Sequence, residues 1–263
     1  VDMYPLDKVA VPKSYLPTYP FMEAMGAGKG LRDEKLAPFP RTEYAVKVNR
    51  QEYYAIITHM DQQIGRILAA LKKTGKADNT YIFFTADHGE TAGSHGGLTD
   101  KGWQHFEEIQ RIPMIARLPN GMSAGESRES LVSLADVYPS ILDWAGQSIP
   151  EGRHGSPLQP LIDDASTDWR DHVVTEFTGV NNLSATLRSI VKDGFKYGYS
   201  AGWPDQLYDL VNDPYETKNL AESPEHQDRL NDLRRTLSSW MDETGDPVKG
   251  IYNQSMRYHL GGA

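Results

Sequence analysis

Between residues 42 and 84 the chain carries two hydrophobic patterns back to back. Tyr53, Ile57, Met60, Ile64, Leu68 and Leu71 recur at steps of three or four, which places them on one face of a helix. Gly75 stands where a left-handed residue would end that helix. Shortly afterwards Tyr81-Ile82-Phe83-Phe84 forms a continuous apolar run. It is too short for a helix and lacks the alternation of a half-exposed strand. The pair predicts a helix over 42–74 whose stripe is core. It also predicts a strand buried on both faces, as in a parallel sheet covered by helices.

The alternation continues. Residues 113–118 and 131–134 read as strands, and Asp136 is an acceptable N-cap for a helix that runs to Trp144 and is closed by Gly146. Such alternation argues an α/β fold. After a polar linker at 163–167 the pattern changes. Short strands are predicted near 173–177, 187–191, 195–199 and 206–210, with Asp193-Gly194 as a hairpin signal and Gly202-Trp203-Pro204 before the last. Ser223-Pro224 then opens a helix with Leu230, Leu233, Leu237 and Trp240 on one face, stopped at 244–247. The expected organisation is an extended Pro-rich segment 1–41, an α/β part 42–165, a small subdomain 166–250 of antiparallel sheet plus helix, and a tail 251–263. Prolines at 5, 12, 17, 20, 38 and 40 keep the first segment irregular, so it should wrap on something else.

Composition excludes several function classes. A net charge of −9 argues against a general nucleic-acid binder, although a local site can still attract an anion. The absence of cysteine rules out disulfides, thiolate zinc sites and a cysteine nucleophile. No run approaches the ~18 apolar residues of a membrane span, so no membrane partner is expected. Val1-Asp2-Met3-Tyr4-Pro5 is no signal peptide; it opens inside an extended segment, and a preceding part of a longer protein is expected. Localisation is not readable.

The chemistry-bearing residues gather after the first strand, in "FFTADHGETAGSHGG". In open α/β sheets ligands bind beyond the carboxyl ends of strands, where Asp87 and His88 fall. A carboxylate and an imidazole are ordinary metal ligands, and Gly89 permits the bend that lets both reach one ion. An Asx-turn beside a surface histidine accounts for the same two residues. His95 lies among Gly93, Gly96 and Gly97, which let backbone approach a ligand closely; a solvated loop histidine is the plainer alternative. Lys101 is a compact cation suited to a phosphate or sulfate oxygen, or simply a surface lysine. For His105, Glu107 and Glu108 surface or structural roles are expected.

"YIFFTADHGE", "GSHGGLTDKG" and "RIPMIARLP", in that order, resemble the sulfatase family of the alkaline-phosphatase-like superfamily. "YYAIITHMDQQIGRILAAL" before them, "SLADVYPSILDWAG" after them and "KDGFKYGYSAGWPDQLYDLVNDPYETKNLAESPE" near the end are similar to it too. The resemblance spans about 44–247. It implies part of an alkaline-phosphatase-like sheet sandwich with a small C-terminal antiparallel sheet and helix. It also implies that Asp87 and His88 bind a divalent cation, most often Ca2+. The nitrogen ligand leaves Mg2+ or Mn2+ open. Lys101 would contact the sulfate group and the bridging oxygen as the ester breaks, and His95 matches a frequent loop histidine of the family. A divalent ion and a lysine around a sulfate ester suit electrostatic stabilisation of its transition state.

The chain departs from the family in one respect. Sulfatases use a formylglycine made from Cys or Ser in a C/S-x-P-x-R motif, and neither "SYLP" at Ser14 nor "SIPEGR" at Ser148 fits. The resemblance therefore implies the C-terminal part of a sulfatase, with the formylglycine in a missing N-terminal part that residues 1–41 would cover. The substrate would be a small-molecule or carbohydrate sulfate ester. The alternatives are a phosphonate or phosphodiester hydrolase of the same superfamily, and a non-catalytic anion-binding remnant.

Overall fold

The computed structural model describes residues 2–18, 39–97, 105–180 and 183–259, in two units, Val1–Ala124 and Gly125–Ala263. In the first, helix α1 spans Glu43–Lys73. The Thr42 side chain caps it by accepting from the Ala45 N–H at 3.1 Å, and Gly75 leaves it with a left-handed φ of 71°. Strand β1 (Ile82–Thr85), the short helix α2 (Glu107–Gln110) and strand β2 (Met114–Arg117) follow.

Two expectations fail here. β1 pairs with β2 antiparallel, Phe83 opposite Ala116, and among the described residues these two strands make the whole sheet of this unit. The stripe of α1 is not core. Tyr53, Ile57, Met60 and Leu68 are exposed, as are Ile56 and Ile67 at 65% and 68%, and only Val46 of the helix is buried. The physical reason is area: a 31-residue helix is about 46 Å long, and two four-residue strands cannot cover its apolar face.

The N-terminal segment wraps on its own chain. Tyr4 packs on Tyr54, with ring centroids 5.5 Å apart, and its carbonyl accepts from Gln51 Nε2 at 2.6 Å. Further on, Tyr15 bridges to Ser94, and the Tyr15 hydroxyl donates to the Arg41 carbonyl at 2.6 Å. Residues 4–15 thus lie against α1 and the glycine loop. They were expected over a missing part instead; residues 19–38, where the rest of that expectation falls, are outside the described residues.

In the second unit, residues 131–134 are not a strand. Ser133 and Asp136 form a reciprocal capping box, which turns the chain into a 3-10 turn and then helix α3 (Val137–Trp144). Asp136 is fully buried and accepts from Arg170 Nη1 at 3.1 Å and from the Ser156 N–H at 2.9 Å. Helix α4 (Gln159–Asp163) precedes strands β3 (His172–Val180), β4 (Leu183–Lys192), β5 (Phe195–Tyr199) and β6 (Gln206–Asp209). They form an antiparallel meander in sequence order. Asp193 and Gly194, both with positive φ, make the tight turn between β4 and β5.

Helix α5 (Gln227–Thr244) covers β4 and β5, and α6 (Lys249–His259) packs on α5. Ile190, Tyr197 and Leu207 from the sheet meet Leu230, Leu233, Leu237 and Met241 of α5 in one buried cluster. Each such side chain contributes about 1.5–3 kcal/mol of transfer free energy. Gly245, at φ 65°, ends α5 as a left-handed cap. Across this core the fully buried Arg188 forks onto Asp246, Nε to Oδ2 at 2.6 Å and Nη2 to Oδ1 at 2.9 Å.

Candidate active site

β1 ends at Thr85 and delivers Asp87 and His88 just beyond its carboxyl end. The Asp87 side chain is 85% exposed. Its Oδ1 accepts from the His88 backbone N–H at 3.0 Å, and its Oδ2 lies 3.4 Å from His88 Nε2. The other ring nitrogen, Nδ1, is 2.8 Å from the Gly89 carbonyl oxygen. A carbonyl only accepts, so Nδ1 carries a proton, and in a neutral ring Nε2 then presents its lone pair. With the ring neutral, two acceptor atoms face each other at 3.4 Å; with the ring protonated, the same contact is an ion pair. A proton on Nε2 or a cation shared by both relieves that opposition. The separation is close to the ~3.3 Å edge of a coordination shell with bonds near 2.3 Å. The donor set thus fits part of a divalent-ion shell.

Gly89 holds this corner against α2. Its N–H donates to the Ile109 carbonyl at 2.7 Å, and a Cβ there would overlap the Glu108 carbonyl oxygen. The loop that follows is folded on itself. Ser94 N–H donates to Thr91 O and Gly97 N–H to Ser94 O, both at 2.9 Å, and Ala92, Gly93, His95 and Gly96 all have positive φ. It is also pinned from outside. Arg41, itself buried, donates from Nη1 to the Gly96 carbonyl at 2.5 Å, and the His95 N–H donates to the Ser14 carbonyl at 2.7 Å.

His95 turns inward and is 5% exposed. Its ring stacks on Phe106 with centroids 3.5 Å apart, and Nε2 lies 3.5 Å from Glu108 Oε2. The Ser14 hydroxyl donates to Glu108 Oε1 at 3.1 Å. Burial works against ionising Glu108. The hydrogen bond and charge of His95, with further bonds from backbone and Ser94, outweigh burial and lower its pKa to about 2. Lys101 lies outside the described residues.

Sequence reasoning gave Glu108 only a surface or structural role, weighed Ser14 only against the formylglycine motif, and did not single out Arg41. Glu108 stands 13 positions after His95, a spacing with no local periodicity, and Arg41 sits in a proline-rich stretch. Only the fold brings them to the loop.

With this geometry in hand, comparison with known proteins defines the class. The family model described as Sulfatase matches residues 11–147, and that described as N-sulphoglucosamine sulphohydrolase, C-terminal, matches residues 93–243. The chain belongs to the sulfatase family. It is 34% identical over 196 residues to an arylsulfatase of Clostridium perfringens, covering 73% of this chain and 40% of that protein. Among solved structures, a phosphonate monoester hydrolase from Silicibacter pomeroyi superposes with a TM-score of 0.79 at 26% identity, over 92% of this chain and 52% of that one. A protein in complex with its substrate D-glucosamine-2-N,6-O-disulfate gives 0.73 at 26% identity, over 86% and 46%. The chain thus spans about half the length of these relatives. The likeness supports an α/β fold with a small C-terminal sheet, and the family generally uses a divalent cation.

Proposed function

We propose that the protein is a sulfatase, a sulfuric ester hydrolase, and that this chain is its C-terminal part. The observation that carries the reading is the pair of potential ligand atoms, Asp87 Oδ2 and His88 Nε2, 3.4 Å apart at the end of β1 in a chain of this family. Asp87 and His88 hold part of the shell of a divalent ion, Ca2+ first, with Mg2+ or Mn2+ open because imidazole is a ligand. Bound there, the ion supplies Lewis acidity to a sulfate oxygen. Lys101 is the cation assigned to the sulfate group and the bridging oxygen. His95 is the second catalytic candidate, its ring orientation set by Phe106 and Glu108.

The nucleophile, a formylglycine, is assigned to an N-terminal part of the same enzyme. This chain has neither a cysteine nor a C/S-x-P-x-R motif. Exposed apolar side chains support such a part: Ile56, Met60 and Ile67 on α1, and separately Ile115 on β2, are large hydrophobics left uncovered by the described residues. Sulfated carbohydrates are the favoured substrates, because a structural neighbour binds a disulfated glucosamine.

The phosphonate monoester hydrolase likeness favours a second reading, hydrolysis of phosphonate or phosphate diesters. The test is the full-length enzyme assayed with an aryl sulfate, glucosamine 6-sulfate and an aryl phosphonate monoester, before and after chelation. Sulfate-ester turnover that falls on chelation and on Lys101→Ala supports the first reading. Turnover of the phosphonate alone overturns it, and cation binding without any turnover leaves the anion-binding remnant.

A further inference from the structure

The second unit holds a cleft of about 430 Å³ between the end of β5, the 202–205 loop and α6. Its size lies in the range of small-molecule sites, with room for a monosaccharide or disaccharide. Tyr199, Trp203, Asp205, Ile251, Gln254 and Ser255 are among its lining residues. The frame is braced. Tyr199 Oη and Ser255 Oγ are 3.1 Å apart, tying the strand to the helix. Asp205 accepts from Tyr197 Oη at 3.2 Å and from Arg234 Nε at 3.0 Å, so its carboxylate is fixed and its charge balanced.

Two lining groups are uncommitted. Within the described residues the Trp203 indole N–H and the Gln254 side-chain amide make no hydrogen bond. An aromatic ring with an open N–H, a free amide and an anchored carboxylate on a rigid frame form a combination that suits a hydroxyl-rich ring. The aromatic face takes the C–H face of the ring, and the amide and carboxylate take its hydroxyls. None of the lining residues is Lys or Arg, and one is an acid. A sulfate group placed here would meet no lining cation, and the one lining carboxylate, Asp205, already takes up the charge of Arg234.

We propose that this cleft is a carbohydrate subsite for a neutral, unsulfated sugar ring. It rests on the reading of the substrate as a carbohydrate sulfate. The cleft then selects for the unsulfated part of a glycan.

The experiment uses the full-length protein with 15N-labelled tryptophan indoles. The Trp203 signal is assigned by its loss in Trp203→Phe. N,N′-diacetylchitobiose, cellobiose, lactose and inorganic sulfate are titrated separately. The expected result is a saturable shift of the Trp203 signal with at least one neutral sugar and none with sulfate. Gln254→Ala should weaken that sugar by ~3–10-fold, one hydrogen bond's worth, with unchanged far-ultraviolet circular dichroism. No shift with any sugar, a shift with sulfate, or unaltered affinity in Gln254→Ala overturns the proposal. Aryl sulfate and glucosamine 6-sulfate turnover are measured on the same samples. Turnover without sugar binding removes this proposal alone, and sugar binding without turnover removes only the sulfatase reading.

Discussion

His95 Nε2 lies 3.5 Å from Glu108 Oε2, beneath a loop whose backbone is held by Ser14 and Arg41. The pair makes this corner of the molecule sensitive to acid. The folded pKa of Glu108, about 2, is below its ordinary 4.5, so its contribution is present in full above 4.5 and is lost as pH falls towards 2. Discounted for partial exposure, the effect is about 1–2 kcal/mol. Urea unfolding of wild type and Glu108→Gln should therefore differ at pH 6 and converge by pH 2. A constant difference across that range would refute the linkage.

Asp87 is the opposite case. Its side chain is 85% exposed and among the described residues its only acceptor bond is to the next residue's N–H, so Asp87→Ala should change stability by no more than about 0.5 kcal/mol. The same change should weaken Ca2+ or Mn2+ binding to the full-length enzyme by at least ~10-fold, read by calorimetric titration. Unchanged affinity would remove Asp87 from the proposed ion shell.

Gly89→Ala tests the close approach of the Asp87–His88 corner to α2. The added methyl would collide with the Glu108 carbonyl oxygen, which is backbone and cannot rotate away. A loss of roughly 1–3 kcal/mol is expected, together with weaker cation binding because His88 is displaced. Thermal unfolding and the same titration measure both.

Arg188 and Asp246 set a stability prediction for the second unit. Removing the guanidinium leaves a buried carboxylate with, among the described residues, only the Val248 N–H for partner, so Arg188→Ala should cost about 3–5 kcal/mol. Pairing Arg188→Met with Asp246→Leu should recover most of that loss, since no buried charge is then left unpaired; Glu176, the other carboxylate near Arg188, is 57% exposed and stays solvated. Chemical denaturation of the single and double variants decides it.

Much of the second unit was legible because its signals are local. Asp193-Gly194, the period of Leu230, Leu233 and Leu237, and Gly245 each act over a few residues, and each stands where the sequence puts it. The reading failed at 131–134, where a capping box outweighed an apolar run. It failed again at α1, where periodicity correctly marks an apolar face but carries no information about whether a partner surface lies in the same chain.

The site divides the same way. Asp87, His88 and the glycine loop could be found from sequence, because a strand end followed by small residues is a local pattern. The partners that give the loop its shape and its charge could not. Ser14, Arg41 and Glu108 come from three separate stretches, and no periodicity relates them to His95. By itself the sequence determined most of the elements, the family likeness and the candidate ligands, because turn chemistry and hydrophobic period are set by near neighbours; it missed α6, which occupies most of the expected tail, and misread 131–134. Only the tertiary structure decided that His95 is buried against Glu108, and that α1 presents its apolar face outward. Burial and charge pairing depend on which distant segments meet.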